Sequence, residues 1–378
     1  MVNVMVRIVA CVLLAGMLLS TTACRSAAPA TSTSQDSPSP GDLARQAMEA
    51  RGFSLPEAAP KGEVQRHVFT EPLMGTTFRI TMYTHDRELA RTAADSAFAR
   101  AHELNGLLSD YDAQSELSRL SATAGSGERV PIGTELWELL EKAALVWEQS
   151  DGAFDITAGP YVRLWRSLRR QTGARLPEQA VLDSLAERVG QPHLVLSDGH
   201  AELLRSGMQL DPGGIGKGFT ADRMMQVLRS FGVESALVDA GGDLVASDPP
   251  PGEQGWPVQL TAHEEDGRPV PRMLWLRNSA LATSGDLFQY TVIDGQRYSH
   301  IIDPKTGLGL TEGRTVTVIG GNGALVDAYS TALSVMPVPE ALTLVNRLCH
   351  YEAYIEIDTP SGVKLLASEG FMWLLRTD

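Results

Sequence analysis

Phe78-Arg79-Ile80-Thr81-Met82-Tyr83 alternates apolar and polar side chains as a half-buried strand does. The period lengthens over residues 94–108, where Ala97, Phe98, Ala101, Leu104 and Leu108 share one side of a predicted helix. A second amphipathic helix is predicted from about Gly133, with Leu136, Leu139, Leu140, Ala143 and Trp147 as its apolar stripe. Strand-like runs around residues 194–196, 233–238 and 314–319 are separated by helical patterns at 219–230 and 324–336. Helix and strand are mixed without a regular βαβ repeat or a solenoid period. Pro249-Pro250-Pro251-Gly252 marks a surface turn rather than a domain linker, because strand-like sequence resumes directly after it.

The N-terminal region has a different texture. Arg7 precedes an apolar run over residues 8–19 that is too short to span a bilayer and has the shape of a secretory signal. The run ends in Leu18-Leu19-Ser20-Thr21-Thr22-Ala23-Cys24, which resembles the lipobox of bacterial lipoproteins with Cys24 as the acylated first mature residue. Thr21 stands where that pattern prefers Leu, and an ordinary cleaved signal with an accidental cysteine is the alternative. Residues 25 to about 45 are Ala, Ser, Thr and Pro with little to bury, as in a flexible tether. The expected organisation is a signal peptide over 1–23, a lipidated cysteine and tether over 24–65, and a folded domain over 66–378. The product would be exported and lipid-anchored to a membrane, facing the periplasm or the outer cell surface. With Cys11 removed and Cys24 acylated, Cys349 is left alone, so no structural disulfide is expected. Its apolar-rich surroundings over 344–355 suggest burial.

Composition narrows the function classes. Of 378 residues, 43% are hydrophobic and 21% charged, ordinary globular proportions. A formal net charge of −14 argues against nucleic-acid binding, which rests on clustered Lys and Arg. A small anion remains possible where a local site supplies a cation or backbone N–H groups.

Several short segments could supply such a site. Asp211-Pro212-Gly213-Gly214-Ile215-Gly216-Lys217-Gly218 follows a short predicted strand and opens a helix bearing Met224, Met225, Leu228 and Phe231. Its glycines let backbone N–H groups approach a phosphate at a positive helix end, with Lys217 to neutralise it. It is not a P-loop, since Asp211 occupies the first glycine position and Gly218 follows the lysine, and it lacks the Rossmann G-x-G-x-x-G. Taken alone it could equally be a tight turn. Gly152-Ala153-Phe154-Asp155-Ile156-Thr157-Ala158-Gly159-Pro160 sets an acid among apolar neighbours, where a cap is the simpler reading. Asp239-Ala240-Gly241-Gly242-Asp243 and Ala282-Thr283-Ser284-Gly285-Asp286 repeat small residues with an acid, which is common turn chemistry. His300-Ile301-Ile302-Asp303-Pro304-Lys305-Thr306-Gly307 puts an imidazole at a strand end, in reach of general-base work or of a structural hydrogen bond. Asp327 and Thr331, four apart on a predicted helix, share a face and offer hard oxygens to Mg2+. No G-x-S-x-G, H-E-x-x-H or Cys/His cluster supports a serine triad or a zinc site.

Together these segments resemble the ApbE family of FAD:protein FMN transferases, from about Glu71 to the end of the chain. The likeness rests on Met74-Gly75-Thr76, on Ser109-Asp110-Tyr111 with Ser115-Glu116-Leu117-Ser118-Arg119-Leu120, on residues 152–160 and 211–218, on Ala240-Gly241-Gly242-Asp243, on Ala282-Thr283-Ser284-Gly285, and on residues 300–307 and 327–331. Ordered together they are far more specific than any one. Gly216, Ala158 and Tyr161 depart mildly from what is common at those positions.

The resemblance implies an α+β fold of mixed, largely antiparallel sheets with flanking helices, related to the T-fold. It implies FAD contacts by Met74, Tyr111, Ala153, Phe154, Asp155, Asp211, Lys217 and Ile301, with Tyr111 near the flavin and Lys217 near the phosphates. It implies Mg2+ held by the backbone oxygen of Gly214 and the side chains of Asp327 and Thr331, with His300 as the base. FAD would be the substrate, and its FMN half would pass to a Ser or Thr hydroxyl of an acceptor flavoprotein, a subunit of a membrane redox complex, with release of AMP. Two alternatives stay open: Mg-dependent hydrolysis of FAD to FMN and AMP, and a non-catalytic flavin-binding lipoprotein.

Overall fold

Two strands joined by a two-residue turn begin the ordered core, β1 (Gln65–Leu73) and β2 (Thr76–Thr84), paired antiparallel. They belong to a computed structural model that describes residues 63–263, 268–285 and 289–374. The signal, Cys24, most of the tether and Asp286 lie outside the described residues. At the turn both Met74 (φ 48°) and Gly75 (φ 74°) are left-handed, as a type I′ hairpin requires. Then follow α1 (Arg87–Leu108), α2 (Glu116–Ala122), β3 (Val130–Pro131), α3 (Thr134–Gln149), α4 (Gly159–Leu168), α5 (Gln179–Ala186), β4 (Leu194–Ser197) and β5 (His200–Leu203). The second half carries α6 (Gly216–Ser230), β6 (Ser235–Ala240), β7 (Leu244–Ala246), β8 (Trp256–His263), β9 (Pro269–Leu276), β10 (Ser279–Gly285), β11 (Tyr290–Ile293) and β12 (Gln296–Ser299). It ends with β13 (Arg314–Gly320), α7 (Gly323–Val335), α8 (Val338–Arg347), β14 (Glu352–Thr359), β15 (Gly362–Ala367) and α9 (Phe371–Leu374).

The frame is an eight-stranded sheet in the order β1-β2-β6-β7-β10-β13-β14-β15, antiparallel at every pairing. A small sheet β3-β5-β4 and the hairpins β8-β9 and β11-β12 complete the strands. This is the expected α+β class with antiparallel sheets. Among the described residues no helix is long and apolar enough to cross a membrane.

Alternation along the strands divides the sheet into two faces. Phe78, Ile80 and Met82 of β2, Ala280 and Ala282 of β10, Val316 and Val318 of β13 and Ile355 of β14 face the helices in the main core. Burying each large apolar side chain stabilises the fold by roughly 1.5–3 kcal/mol. Leu281, Ile319 and Tyr354 point the other way and meet Trp256, Leu274 and Leu276 of the β8-β9 hairpin and Phe371 of α9.

Helix α1 is longer than its apolar pattern alone suggests, because a cap extends it. Asp86 accepts from the N–H groups of Glu88 and Leu89 at 2.8 and 3.3 Å, which starts α1 well before the predicted residue 94. Ala90, Ala93, Ala94, Ala97 and Ala101 leave α1 a low surface on which α6 can lie close. In α3 the buried stripe ends in Val146, while Trp147 is half-buried and turned toward Gly152. Helical phase puts residue 147 nearer the stripe's centre than residue 146, so the tertiary surroundings at Gly152, and not periodicity, leave Trp147 half-buried. Cys349 stands exposed after α8, so the expected burial does not hold, and the expectation about a bridge turns on Cys11 and Cys24, which lie outside the described residues. The core there is filled instead by Leu344 and Val345 on the inner face of α8.

Candidate active site

At one end of the large sheet, the turn after β1, the turn after β6 and the end of β10 lie side by side, and the starts of α4 and α6 converge on them. They enclose a cavity of about 830 Å3. Met74, Tyr111, Ala153, Phe154, Asp155, Asp211, Gly214, Lys217, His300, Ile301, Asp327 and Thr331 all line it. Every residue to which the resemblance gives a role at FAD, Mg2+ or the base is thus brought to one space, although the segments are scattered along the chain.

The phosphate-loop candidate is built differently from the sequence expectation. No strand precedes it: Gln209 makes only an isolated bridge to Ala158. Asp211 turns the chain by accepting from Gly213 N at 2.8 Å, and the Pro212 carbonyl accepts from Ile215 and Gly216 at 3.0 and 2.7 Å. Helix α6 then starts at Gly216, earlier than the predicted 219, so Lys217 sits in its first turn.

Lys217 does not stand free beside that turn. Its Nζ is hydrogen-bonded to Asp243 and lies 3.8 Å from Asp327, whose carboxylate also accepts from Gly218 N at 3.1 Å. Burial opposes the lysine charge, but Asp327 and Asp243 outweigh it and hold its pKa above the ordinary value. Burial, and then repulsion from Asp327, pushes Asp243 up to about 7. Burial likewise raises Asp327, against the pull of Lys217. Two buried carboxylates therefore share a single ammonium, and the cluster lacks positive charge.

Hard oxygen donors surround that deficit. Asp327 and Thr331 project from one face of α7 as their spacing predicts, and the backbone at Gly214 abuts Thr331: a Cβ on Gly214 would stand 2.9 Å from Thr331 Oγ1. Ser284 Oγ is 3.3 Å from the same hydroxyl and 2.7 Å from Ser330 Oγ. Among the described residues no three His, Cys, Asp or Glu side chains converge as a metal-binding group. A carboxylate, a hydroxyl and a backbone carbonyl next to uncompensated negative charge fit Mg2+, which takes few protein ligands.

His300 follows β12, and its Nδ1 lies 3.1 Å from the Gln289 carbonyl. A carbonyl can only accept, so Nδ1 carries the proton and Nε2 keeps the lone pair. Burial holds the imidazole pKa below its ordinary value, which favours the neutral base.

Asp155 is a brace as well as a lining residue. Its carboxylate accepts from Thr157 N and Oγ1 at 2.8 and 2.6 Å and from Gln191 N at 3.1 Å, which fixes the loop before α4, while Ala158 is the N-cap itself. Phe154, Ala153 and Ile301 are buried and give the cavity its apolar floor. Tyr111 is the opposite case, 73% exposed at the rim.

Two arginines on α4 and its cap were not singled out by the sequence. Arg166 is hydrogen-bonded to Asp110, donates to Asp211 at 2.8 Å, and lies over the Tyr111 ring at 4.6 Å. Arg169 lines the cavity three residues later. The available signal was their spacing with Val162 in Val162-Arg163-Leu164-Trp165-Arg166-Ser167-Leu168-Arg169, which places three lining residues on one helical side.

The ApbE family model matches residues 74–355. The FAD:protein FMN transferase of Treponema pallidum (strain Nichols) is 30% identical over 309 residues, covering 76% of this chain and 83% of that protein. The FAD:protein FMN transferase of Escherichia coli (strain K12) is 26% identical over 297 residues, covering 77% and 84%. The crystal structure of the Pseudomonas stutzeri flavinyl transferase ApbE in its apo form matches with a TM-score of 0.75 at 27% identity, over 85% of this chain and 100% of that one. The flavin transferase ApbE from Vibrio cholerae matches with a TM-score of 0.75 at 26% identity, over 83% and 100%. The matched span of the family model contains every residue that lines the cavity. Likeness and geometry thus address the same site, and the chain belongs to the ApbE family.

Proposed function

We propose that this protein transfers the FMN half of FAD to a Ser or Thr hydroxyl of an acceptor flavoprotein with release of AMP, and that the transfer depends on Mg2+. The observation that carries the reading is the cavity itself. One volume of dinucleotide scale brings together an exposed aromatic ring at the rim, a lysine in the first turn of a helix, a metal-like oxygen set and a neutral imidazole.

The chemistry follows from those groups. The acceptor oxygen attacks the phosphorus of the FMN half, a new O–P bond forms, and the P–O bond to AMP breaks with the bridging oxygen leaving on AMP. His300 Nε2 takes the proton of the attacking hydroxyl, since Nδ1 is committed to Gln289. Lys217, in the first turn of α6, faces the pyrophosphate. Tyr111, with Arg166 behind it, offers a face on which a flavin can stack. Asp327, Thr331 and the Gly214 carbonyl would hold Mg2+, whose charge there opposes that of the phosphate oxygens.

The same reading extends to place. A signal over 1–23 and acylation at Cys24 would tether the domain to a membrane on its outer side, where subunits of membrane redox complexes present their acceptor hydroxyls. Palmitate labelling that survives in the wild type and vanishes in Cys24→Ala would support the anchor, and labelling of both would remove it.

The transfer is tested by incubating the chain from residue 46 with FAD, Mg2+ and an acceptor domain, then recording intact masses and released AMP. A mass gain equal to FMN that disappears with EDTA is the expected result. AMP and free FMN without a mass gain would identify a hydrolase, and FAD bound unchanged would identify a flavin-binding protein.

A further inference from the structure

Of the three Lys and Arg side chains on the cavity wall, two are held by carboxylates. Lys217 is engaged by Asp243 and Asp327, and Arg166 by Asp110 and Asp211. Arg169 lines the same cavity, yet its guanidinium makes no hydrogen bond or ion pair to any described residue. It is only partly exposed. Burial, and then repulsion from Arg166, holds its pKa below the ordinary value, and the weaker pull of Tyr111 and Asp211 does not offset them.

Its placement is fixed from behind. Arg169 is the C-cap residue of α4, and Trp165, one turn earlier, anchors that helix by donating to the Gly307 carbonyl at 2.8 Å. The His300 imidazole senses the positive charge of Arg169 and, less strongly, that of Lys217. Arg169 therefore faces the space beside the base, with its five N–H donors uncommitted. An arginine serving only the fold would be spent on a carboxylate, as Arg166 is.

We propose that Arg169 forms a phosphate subsite of this cavity, separate from Lys217, that grips the phosphoryl oxygens of the bound dinucleotide next to His300. The proposal deepens the transferase reading and rests on it for the identity of the dinucleotide. A planar guanidinium suits two phosphoryl oxygens at once, so lysine would replace it only in part.

The test separates the phosphate from the flavin. Binding of FAD, riboflavin and inorganic pyrophosphate is measured by flavin fluorescence and calorimetry, in EDTA so that nothing turns over, for the wild type, Arg169→Gln and Arg169→Lys. Arg169→Gln should weaken FAD and pyrophosphate by roughly ten- to hundredfold, the worth of one or two charge-assisted hydrogen bonds, and leave riboflavin unchanged. Arg169→Lys should recover part of the loss. Equal losses for riboflavin and FAD would make Arg169 a packing residue, and unchanged affinity for pyrophosphate would remove the subsite. A wild type that binds pyrophosphate through Arg169 but transfers nothing from FAD would sink the transferase reading and leave the subsite standing.

Discussion

Gly218 of α6 and Gly323 of α7 touch backbone to backbone. A Cβ on Gly218 would stand 2.1 Å from the Gly323 carbonyl oxygen, and one on Gly323 would stand 2.6 Å from that of Gly218. Asp222, one turn on in α6, accepts from Gly323 N and Ala324 N at 2.8 and 3.0 Å and caps the facing helix. The helix carrying Lys217 is thereby pressed against the helix carrying Asp327 and Thr331. Gly218→Ala is expected to force them apart, at roughly 1–3 kcal/mol of stability and a larger loss of metal affinity. Urea unfolding and Mg2+ titration check this, and unchanged metal affinity in a destabilised variant would disprove the coupling.

Breaking the cavity's paired charges should be costly. Arg166→Met leaves Asp110 and Asp211 largely buried without their cation and removes the support beneath Tyr111. A loss of roughly 3 kcal/mol of stability is expected in urea unfolding. Arg166→Met together with Asp110→Asn and Asp211→Asn should recover most of it; failure to recover would mean that Arg166 acts by packing alone.

The transfer rate should follow the charge of His300. Burial lowers its pKa from the ordinary 6.5, so the neutral base persists to lower pH than for an exposed histidine. The rate is expected to rise with pH, with a midpoint below that value, and then level off. His300→Gln should lose roughly 10²–10⁴-fold while still binding FAD. A variant with full rate, or an unaltered pH profile, would remove His300 from the reaction.

Stability of the metal-free protein should run the other way. Asp243 titrates at about 7 in the fold against an ordinary 3.8, because burial and Asp327 disfavour its charge. Between those values the folded state binds more protons than the unfolded one, so stability is greatest below the window and falls as pH rises through it. In EDTA the urea midpoint is expected to drop from about pH 4 to about pH 8. Asp243→Asn should flatten part of that slope, and an identical slope in the variant would assign it elsewhere.

Much of this site was legible in the chain because its chemistry is local. Asp327 and Thr331 share a helical face by spacing, and the glycines before Lys217 announce a tight turn whatever surrounds it. What escaped depends on tertiary pairing. Arg166 reads as a solvated helix face until Asp110 and Asp211, 56 and 45 residues away, are folded against it. Asp243 reads as ordinary turn chemistry until the ammonium of Lys217 reaches it. The strand expected before Asp211 failed because its apolar residues, Met208 and Leu210, are buried in the main core without a strand partner beyond one bridge. Trp147 is in phase with the stripe yet half-buried, because its surroundings at Gly152 are set by the tertiary fold.

The cavity draws its walls from both ends of the domain, from Met74 in the first hairpin to Thr331 in α7, and the strands beneath it pair out of sequence order. Contacts of such sequence separation close late, after the entropy of long loops has been overcome. A nascent chain would therefore not hold the dinucleotide until nearly all of it has emerged and folded, and ligand binding would report completion of the fold rather than any stage before it.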